Sequence, residues 1–288
     1  MKDLKIFLDL TRLNKPIGIM LLFWPCSWGL AYAYRSHENL NIFFYYLMLF
    51  FLGSVLMRSA GCIFNDIVDK DLDKKVQRTK QRPLASGIIS LNKAALYIII
   101  LCFLAFIILI QFNLLTIILG MCSMLLAFAY PFMKRITYWP QLFLGLTFNW
   151  GIIMAYSAIN NDISNEIIAL YVSAIFWTLG YDTIYGVQDI EDDVIIGIKS
   201  TAIKFKDKIK LFVGLCYLLT FLIIIFIMNK SLGFNFSTLF LVLFFCSLVY
   251  QLKIFEKRDA KKCLKAFKFN NYTGFLIFLM FFSSNFEL

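Results

Sequence analysis

Residues 41–73 read NIFFYYLMLFFLGSVLMRSAGCIFNDIVDKDLD, an apolar stretch that passes directly into a cluster of acids. The part from 41 to 61 has the length of about 20 residues that a helix needs to cross the hydrocarbon core of a membrane. Its apolar residues continue without alternation, which favours a helix over a strand of a membrane barrel. Carboxylates are costly at membrane depth and usually have a task there. The stretch therefore predicts a membrane helix that carries acids to a functional site near one membrane face.

The whole chain has the composition of a polytopic membrane protein. Of its 288 residues, 60% are hydrophobic, whereas an ordinary soluble domain has roughly 45–50%. Apolar runs of spanning length give nine predicted spans, at about 17–34, 41–61, 94–112, 114–132, 138–158, 166–187, 209–228, 234–252 and 271–286. The third and fourth spans are joined by a tight turn, and the ninth is short. We expect an all-α integral membrane protein, a bundle of about nine transmembrane helices forming one domain over residues 1–288.

The basic residues predict the orientation of this bundle. With the N-terminus and every second connection placed on one side, all but three of the 28 Lys and Arg residues fall there. The exceptions are Arg35, Arg58 and Lys230. Such a bias marks the cytoplasmic side, and both acidic clusters lie on it. The net charge of +10 is then a topology signal and indicates no nucleic acid partner. No feature indicates an obligate protein partner.

The first 15 residues form an amphipathic segment with four Lys or Arg residues. They lack the apolar core of a cleavable signal and the Arg- and Ser-rich composition of a transit segment. We therefore expect a cytoplasmic helix lying on the membrane surface before the first span. The favoured location is a bacterial cell inner membrane, with the N-terminus and the active site facing the cytoplasm.

The first acidic cluster occupies residues 65–73. Its polar residues at spacings of three or four are Asn65, Asp66, Asp69 and Asp73. On a helix they form one stripe, and bound Mg²⁺, held by one or two carboxylates and phosphate oxygens, relieves their repulsion. Asp71 points away from the stripe and is expected to be solvated. Arg78 and Arg82 lie four residues apart, a spacing that suits the binding of phosphate oxygens. The alternative is a basic cytoplasmic loop.

The second acidic cluster occupies residues 182–193. Spacings of three, four and four separate Asp182, Tyr185, Asp189 and Asp193. These spacings predict one helical face over three turns, with Glu191 and Asp192 pointing away from it. Lys199 follows and is expected to contact a diphosphate. Two carboxylate stripes facing one cavity suit a two-metal site that stabilises a leaving group. The alternative is ordinary charge at a helix end.

The remaining cations suggest a second substrate. Arg58 lies inside an apolar span, whereas Lys134 and Arg135 end the fourth span. An aromatic acceptor with a carboxylate needs such a partner, although Lys134 and Arg135 also fit a simple stop signal.

A polyprenyl diphosphate combines a long apolar tail with an anionic leaving group. The protein would stabilise the departing diphosphate and exclude water from the allylic cation.

The two clusters and their surroundings resemble the UbiA family of membrane prenyltransferases. The similarity covers residues 12–205 and rests on these motifs: Asn14-Lys15-Pro16-Ile17-Gly18, Asn65-Asp66-x-x-Asp69-x-x-x-Asp73, Arg82-Pro83-Leu84-Ala85-Ser86-Gly87, Tyr130-Pro131-x-x-Lys134-Arg135, Gly180-Tyr181-Asp182-Thr183-Ile184-Tyr185, Gln188-Asp189-x-x-Asp192-Asp193 and Gly197-Ile198-Lys199-Ser200-Thr201. Met57-Arg58-Ser59-Ala60-Gly61-Cys62, with the run from Tyr181 to Tyr185, is similar to the branch that acts on 4-hydroxybenzoate.

This resemblance implies a function and roles for residues. The implied reaction is Mg²⁺-assisted transfer of a polyprenyl group from polyprenyl diphosphate to the ring carbon ortho to the hydroxyl of 4-hydroxybenzoate, in ubiquinone biosynthesis. The implied Mg²⁺–diphosphate residues are Asp69, Asp73, Asp189 and Asp193, with Asn65 and Asp66 in support. Arg135 is implied as a catalytic cation. Other acceptors, such as a naphthoate, homogentisate or haem, stay open. A cation-coupled transporter is a rival of another class, whereas the predicted spans exclude a soluble prenyl synthase.

Overall fold

The computed structural model describes residues 2–34, 39–76 and 79–286, and within these ranges every regular element is helical. A 3₁₀ turn at Val187–Asp189 follows α9. The helices are α1 Lys2–Thr11, α2 Ile17–Ala33, α3 Leu40–Val68, α4 Lys70–Asp73, α5 Leu91–Leu109, α6 Leu114–Ile136, α7 Pro140–Asn149, α8 Gly151–Asn160, α9 Asn165–Gly186, α10 Ile190–Ile196, α11 Thr201–Lys204, α12 Ile209–Met228, α13 Phe236–Ile254 and α14 Ala260–Ser284.

The nine predicted spans all correspond to helices of the described chain, with α7 and α8 together forming the fifth. Within the described residues, seven helical segments are long and apolar enough to cross a membrane. The apolar helix α2 is shorter, at 17 residues, and α14 has 25 residues but begins with a Lys-rich turn. The tight turn between the third and fourth spans is present, because α5 ends at Leu109 and α6 begins at Leu114. The prediction of an all-α membrane bundle is confirmed.

Helix α3 continues to Val68, so that it carries Asn65 and Asp66 itself, as the spacing of the polar residues predicts. Two other spans show features that the prediction lacks. The fifth span is interrupted at Trp150, which separates α7 from α8. The helix of the ninth span is longer than its apolar run, because α14 begins at Ala260 rather than at residue 271. The lysines in its first turns lower the local hydropathy, so the apolar run begins later than the helix.

Helix α9 lies at the centre of the bundle, where it packs against α7, α8, α12 and α14. The peripheral helices instead expose large apolar side chains, among them Phe103 of α5, Leu125 of α6 and Phe226 of α12. Such surfaces suit lipid and not water. Helices α2 and α8 approach closely at Gly151, where a Cβ would overlap the sulfur of Cys26. The bundle therefore has the apolar exterior of a multi-pass membrane protein.

Helix α1 packs on the outside of α3 and α5. Leu10 is fully buried beside Ile63, and the rings of Phe7 and Tyr97 meet edge to face at 5.3 Å. The predicted N-terminal helix is thus present, and its position on a membrane surface stays a prediction. Arg12 follows α1 and adopts a left-handed backbone conformation with φ of 55°. This docking places the Arg12 side chain beside the end of α3.

Candidate active site

Two adjoining cavities lie within the bundle. A polar cavity of about 230 Å³ lies between the ends of α3, α6 and α9 and the short helices α4 and α10. An apolar cavity of about 480 Å³ lies deeper, among α2, α3, α5, α6 and the α7–α8 pair. Asn65, Tyr130 and Pro131 line both cavities. The two spaces therefore meet at these residues, with polar groups on one side and apolar groups on the other.

The first acidic cluster provides one wall of the polar cavity. Asp69 ends α3, where its backbone N–H donates to the Asn65 carbonyl. Its carboxylate pairs with Lys134, and Asp73 pairs with Arg82 at 2.8 Å. Asn65, Asp69, Asp73 and Arg82 all line this cavity. The prediction that these residues share a polar face is confirmed for Asn65, Asp69 and Asp73.

Asp66 differs from the prediction because it lies behind the cavity wall. Its side chain is 2% exposed, and one carboxylate oxygen accepts from both Arg12, at 2.6 Å, and Arg82, at 3.1 Å. The placement of Asp66 on the stripe was therefore wrong. The reason is that residues 65 and 66 are neighbours about 100° apart on α3, so Asn65 faces the cavity and Asp66 faces α1.

Asp71 is solvated, as predicted. Its side chain is 88% exposed, and Lys74 donates to it at 2.9 Å. That hydrogen bond and the positive charge of Lys74 lower the pKa of Asp71. The prediction for Arg78 lies outside the described residues.

The second acidic cluster provides the opposite wall, but not as one continuous helical face. Helix α9 ends at Gly186, and the 3₁₀ turn intervenes before α10 begins at Ile190. A 3₁₀ turn has 3.0 residues per turn and changes the register of the side chains that follow. The predicted residues nevertheless all line the polar cavity: Asp182, Tyr185, Asp189 and Asp193.

The change of register also alters the assignment of the neighbouring acids. Asp192 lines the polar cavity, so the prediction that it points away was wrong. Glu191 is exposed, as predicted. Sequence spacing missed Asp192 because a regular helix was assumed across the 3₁₀ turn.

The basic residues of the site separate into those that face the cavity and one that does not. Lys134 and Lys199 line it, and the Lys199 backbone N–H donates to the Lys134 carbonyl at 2.8 Å. Arg135 is 41% exposed and lies outside the cavity lining. It donates to the Val68 carbonyl at 2.7 Å and to Asp69 at 3.4 Å. Arg135 thus holds the end of α3, whereas Lys134 faces the cavity.

Arg58 lies deeper, in the wall of the apolar cavity. Its guanidinium stands 5.3 Å from the centre of the Phe148 ring, and its charge acts on Asp182. A Cβ at Gly18 would come within 2.6 Å of the Arg58 Nε. Only glycine leaves room for the guanidinium against α2 there. This arrangement places a cation, an aromatic ring and a carboxylate around the point where the two cavities adjoin.

Arg12 is a cavity residue that sequence reasoning missed. It lines the polar cavity, whereas the sequence pattern predicts it only as part of a basic N-terminal segment. Burial lowers the pKa of Arg12, but the charges of Asp66 and other nearby groups outweigh burial and raise it above its usual value. The only sequence signal was its position just before the motif at 14–18, since more than 50 residues separate Arg12 from Asp66.

The cavity has the chemistry of a site for divalent cations and phosphate. Its lining contains six carboxylates, of Asp69, Asp73, Asp182, Asp189, Asp192 and Asp193, and four cations, of Arg12, Arg82, Lys134 and Lys199. Within the described ranges, no three acidic, His or Cys side chains converge into a metal-binding group. Mg²⁺ does not need such a group, because it is held by one or two carboxylates with substrate phosphate oxygens. The excess of hard oxygen donors therefore fits Mg²⁺ bound together with a diphosphate.

Comparison with known proteins agrees with this chemistry. The model of the UbiA prenyltransferase family matches residues 22–284. The 4-hydroxybenzoate octaprenyltransferase of Vibrio atlanticus (strain LGP32) is 43% identical over 277 residues, which cover 95% of each chain. The apo structure of a UbiA homolog from Aeropyrum pernix K1 has a TM-score of 0.75 at 22% identity and covers 90% of this chain and 94% of its own. A UbiA homolog from Archaeoglobus fulgidus bound to GPP and Mg²⁺ has a TM-score of 0.73 at 17% identity over 98% of both chains.

Proposed function

The chain belongs to the UbiA prenyltransferase family, and we propose that it transfers a polyprenyl group from polyprenyl diphosphate to 4-hydroxybenzoate. The new bond forms at the ring carbon ortho to the hydroxyl, diphosphate leaves, and the ring proton is lost to restore aromaticity. This reaction is a step of ubiquinone biosynthesis. The relative from Vibrio atlanticus, which matches almost the full length of this chain, supports this acceptor over a naphthoate, homogentisate or haem.

The observation that carries the proposal is the junction of the two cavities. A polyprenyl diphosphate has an anionic head and an apolar tail, and the polar and apolar cavities meet at Asn65 and Tyr130. The head then lies among the acids and cations of the polar cavity. The tail lies along α3, α5 and α6. The scissile carbon–oxygen bond falls at the boundary, where apolar walls exclude water from the developing cation.

The acidic clusters have distinct partners in this arrangement. Asp69 and Asp73 on one wall, and Asp189 and Asp193 on the other, would hold Mg²⁺ against the diphosphate, with Asn65 in support. Bound Mg²⁺ supplies the positive charge that stabilises the departing diphosphate. Arg82, Lys134 and Lys199 add hydrogen-bond donors for phosphate oxygens. Asp66 contributes indirectly, by holding Arg82.

Arg58 is the proposed partner of the acceptor carboxylate. Its position beside Phe148 in the inner cavity wall lets one aromatic acid meet a cation and an apolar ring. Asp182 and Tyr185 line the adjoining polar cavity. Arg135 acts through Asp69, because it bridges that carboxylate and the end of α3. We therefore assign Arg135 to positioning and Lys134 to substrate binding.

A bacterial inner membrane with the site facing the cytoplasm is the proposed location. The basic residues support this orientation by the positive-inside rule. A cation-coupled transporter fits the site less well, since its ion-binding groups lie near the membrane midplane between broken helices. Here Asp69 ends α3, and Asp189 follows the end of α9.

The reaction can be tested with membranes that contain this chain, 4-hydroxybenzoate and a polyprenyl diphosphate. We expect a prenylated hydroxybenzoate that forms with Mg²⁺, is lost with EDTA and returns when Mg²⁺ is restored. Formation of product with a naphthoate but not with 4-hydroxybenzoate would overturn the acceptor. Equal product with and without EDTA would overturn the role of the metal. Membranes without the chain serve as the control.

A further inference from the structure

Arg12 reaches the polar cavity from outside both acidic motifs. It comes from the segment that follows α1, and its side chain lines the cavity beside the first acidic cluster. One guanidinium nitrogen donates to Asp66 at 2.6 Å. Asp73 and Tyr185, from opposite walls, line the same cavity. The Arg12 side chain is therefore part of the cavity wall.

The backbone and packing around Arg12 fix this position. A left-handed conformation is uncommon for a residue other than Gly, Asn or Asp, and Arg12 adopts it with φ of 55°. Conformations of this kind persist where the surroundings determine them, and they concentrate at ligand-binding sites. Here Leu10 anchors α1 against α3, and the Lys15 backbone N–H donates to the Arg12 carbonyl at 2.9 Å.

Asp66 connects Arg12 to an established part of the site. The carboxylate oxygen that accepts from Arg12 also accepts from Arg82, which in turn contacts Asp73 at 2.8 Å. A carboxylate shared by two guanidinium groups orients both, because each fork of donors has a fixed geometry. Arg12 keeps further donors for a ligand, since its guanidinium has five N–H groups. One of its nitrogens contacts Asp66.

We infer that Arg12 is a further diphosphate-binding residue, and that docking of the N-terminal helix completes the diphosphate site. This inference rests on the proposed function for the identity of the substrate. The ligand chemistry is a diphosphate with its divalent cation. Asp66 then acts as the buried support that aims Arg12 and Arg82 at the phosphate oxygens.

The test uses Arg12→Asn in the full-length protein, because Asn tolerates the left-handed backbone and lacks the guanidinium. We expect the KM for polyprenyl diphosphate and the Kd for inorganic pyrophosphate with Mg²⁺ to rise about 10- to 100-fold, the loss expected for one charge-assisted group. The KM for 4-hydroxybenzoate stays unchanged. Lys5→Asn, an exposed position on α1, is the matched control and leaves all three values unchanged.

A second variant separates binding from stability. Arg12→Asn leaves Asp66 with fewer partners, and the double variant Arg12→Asn/Asp66→Asn removes that buried charge. We expect the double variant to melt at a higher temperature than Arg12→Asn but to keep the weak pyrophosphate binding. Recovery of wild-type Kd in the double variant would overturn the inference, because Arg12 would then serve only to neutralise Asp66. Pyrophosphate binding is measured by calorimetry, so this result is independent of whether 4-hydroxybenzoate is the acceptor.

Discussion

Replacement of Asp69 by Asn is the sharpest test of the acidic site. The side chain is 7% exposed and pairs with Lys134 and Arg135, so the substitution keeps the shape and removes one charge from the cavity wall. One unit-charge pair at 4 Å is worth about 4 kcal/mol at an effective dielectric constant of 20. That energy corresponds to a loss of roughly a thousand-fold in rate. We expect Asp69→Asn to lower kcat by about this factor.

The assay is prenyl transfer in membranes, with the amount of folded enzyme measured by size-exclusion chromatography in detergent. Asp71→Asn is the matched control, since Asp71 belongs to the same cluster but is 88% exposed. It should keep near wild-type activity. If Asp69→Asn retained more than about a tenth of the activity, or if both variants lost activity equally, the charge of Asp69 would not act on the leaving group.

Two further predictions follow from single contacts. Arg135→Ala should lower activity about 10- to 100-fold, the loss expected when a supporting hydrogen bond to the proposed metal-binding residue Asp69 is removed. Lys253→Ala, an exposed position at the end of α13, should leave activity unchanged. Equal losses in the two variants would indicate that Arg135 serves only as a positive charge that sets the membrane topology. Gly151→Ala should destabilise the protein by about 1–3 kcal/mol through overpacking against Cys26, seen as a lower melting temperature. Gly214→Ala is the control, since its added Cβ makes only an ordinary contact at 3.9 Å, and unchanged melting of Gly151→Ala would argue against close α2–α8 packing.

Hydropathy predicted the spans well because a membrane helix must be apolar over a fixed length. Hydropathy alone does not locate a helix end that lies outside the apolar run. Helix α14 begins with lysines, whereas the continuation of α3 into the acidic cluster is predicted by the spacing of the polar residues there. The charge pattern also indicated which end of the bundle carries the site, since both acidic clusters follow spans that end on the basic side.

Side-chain direction at the site was predictable only where the helix stays regular. Asn65, Asp69 and Asp73 face the cavity as their spacing predicts, because α4 continues the course of α3 after one residue. Asp192 was misplaced because the 3₁₀ turn at Val187–Asp189 leaves no clear mark in the sequence. Arg12 was missed for another reason, since its partner Asp66 is distant in the chain and only tertiary packing of α1 brings them together.

Lys134 and Arg135 show how far a resemblance can assign roles. The two residues are neighbours near the end of α6, and neighbours on a helix point about 100° apart. Neighbours that point in such different directions need not both face the cavity, and the spacing of charges does not say which one does. The structure turns Lys134 inward and leaves Arg135 to bridge Val68 and Asp69. A lysine is a flexible point charge, whereas the planar guanidinium suits a fixed bridge between a carbonyl and a carboxylate. The division of roles therefore follows from the chemistry of the two side chains as well as from their direction.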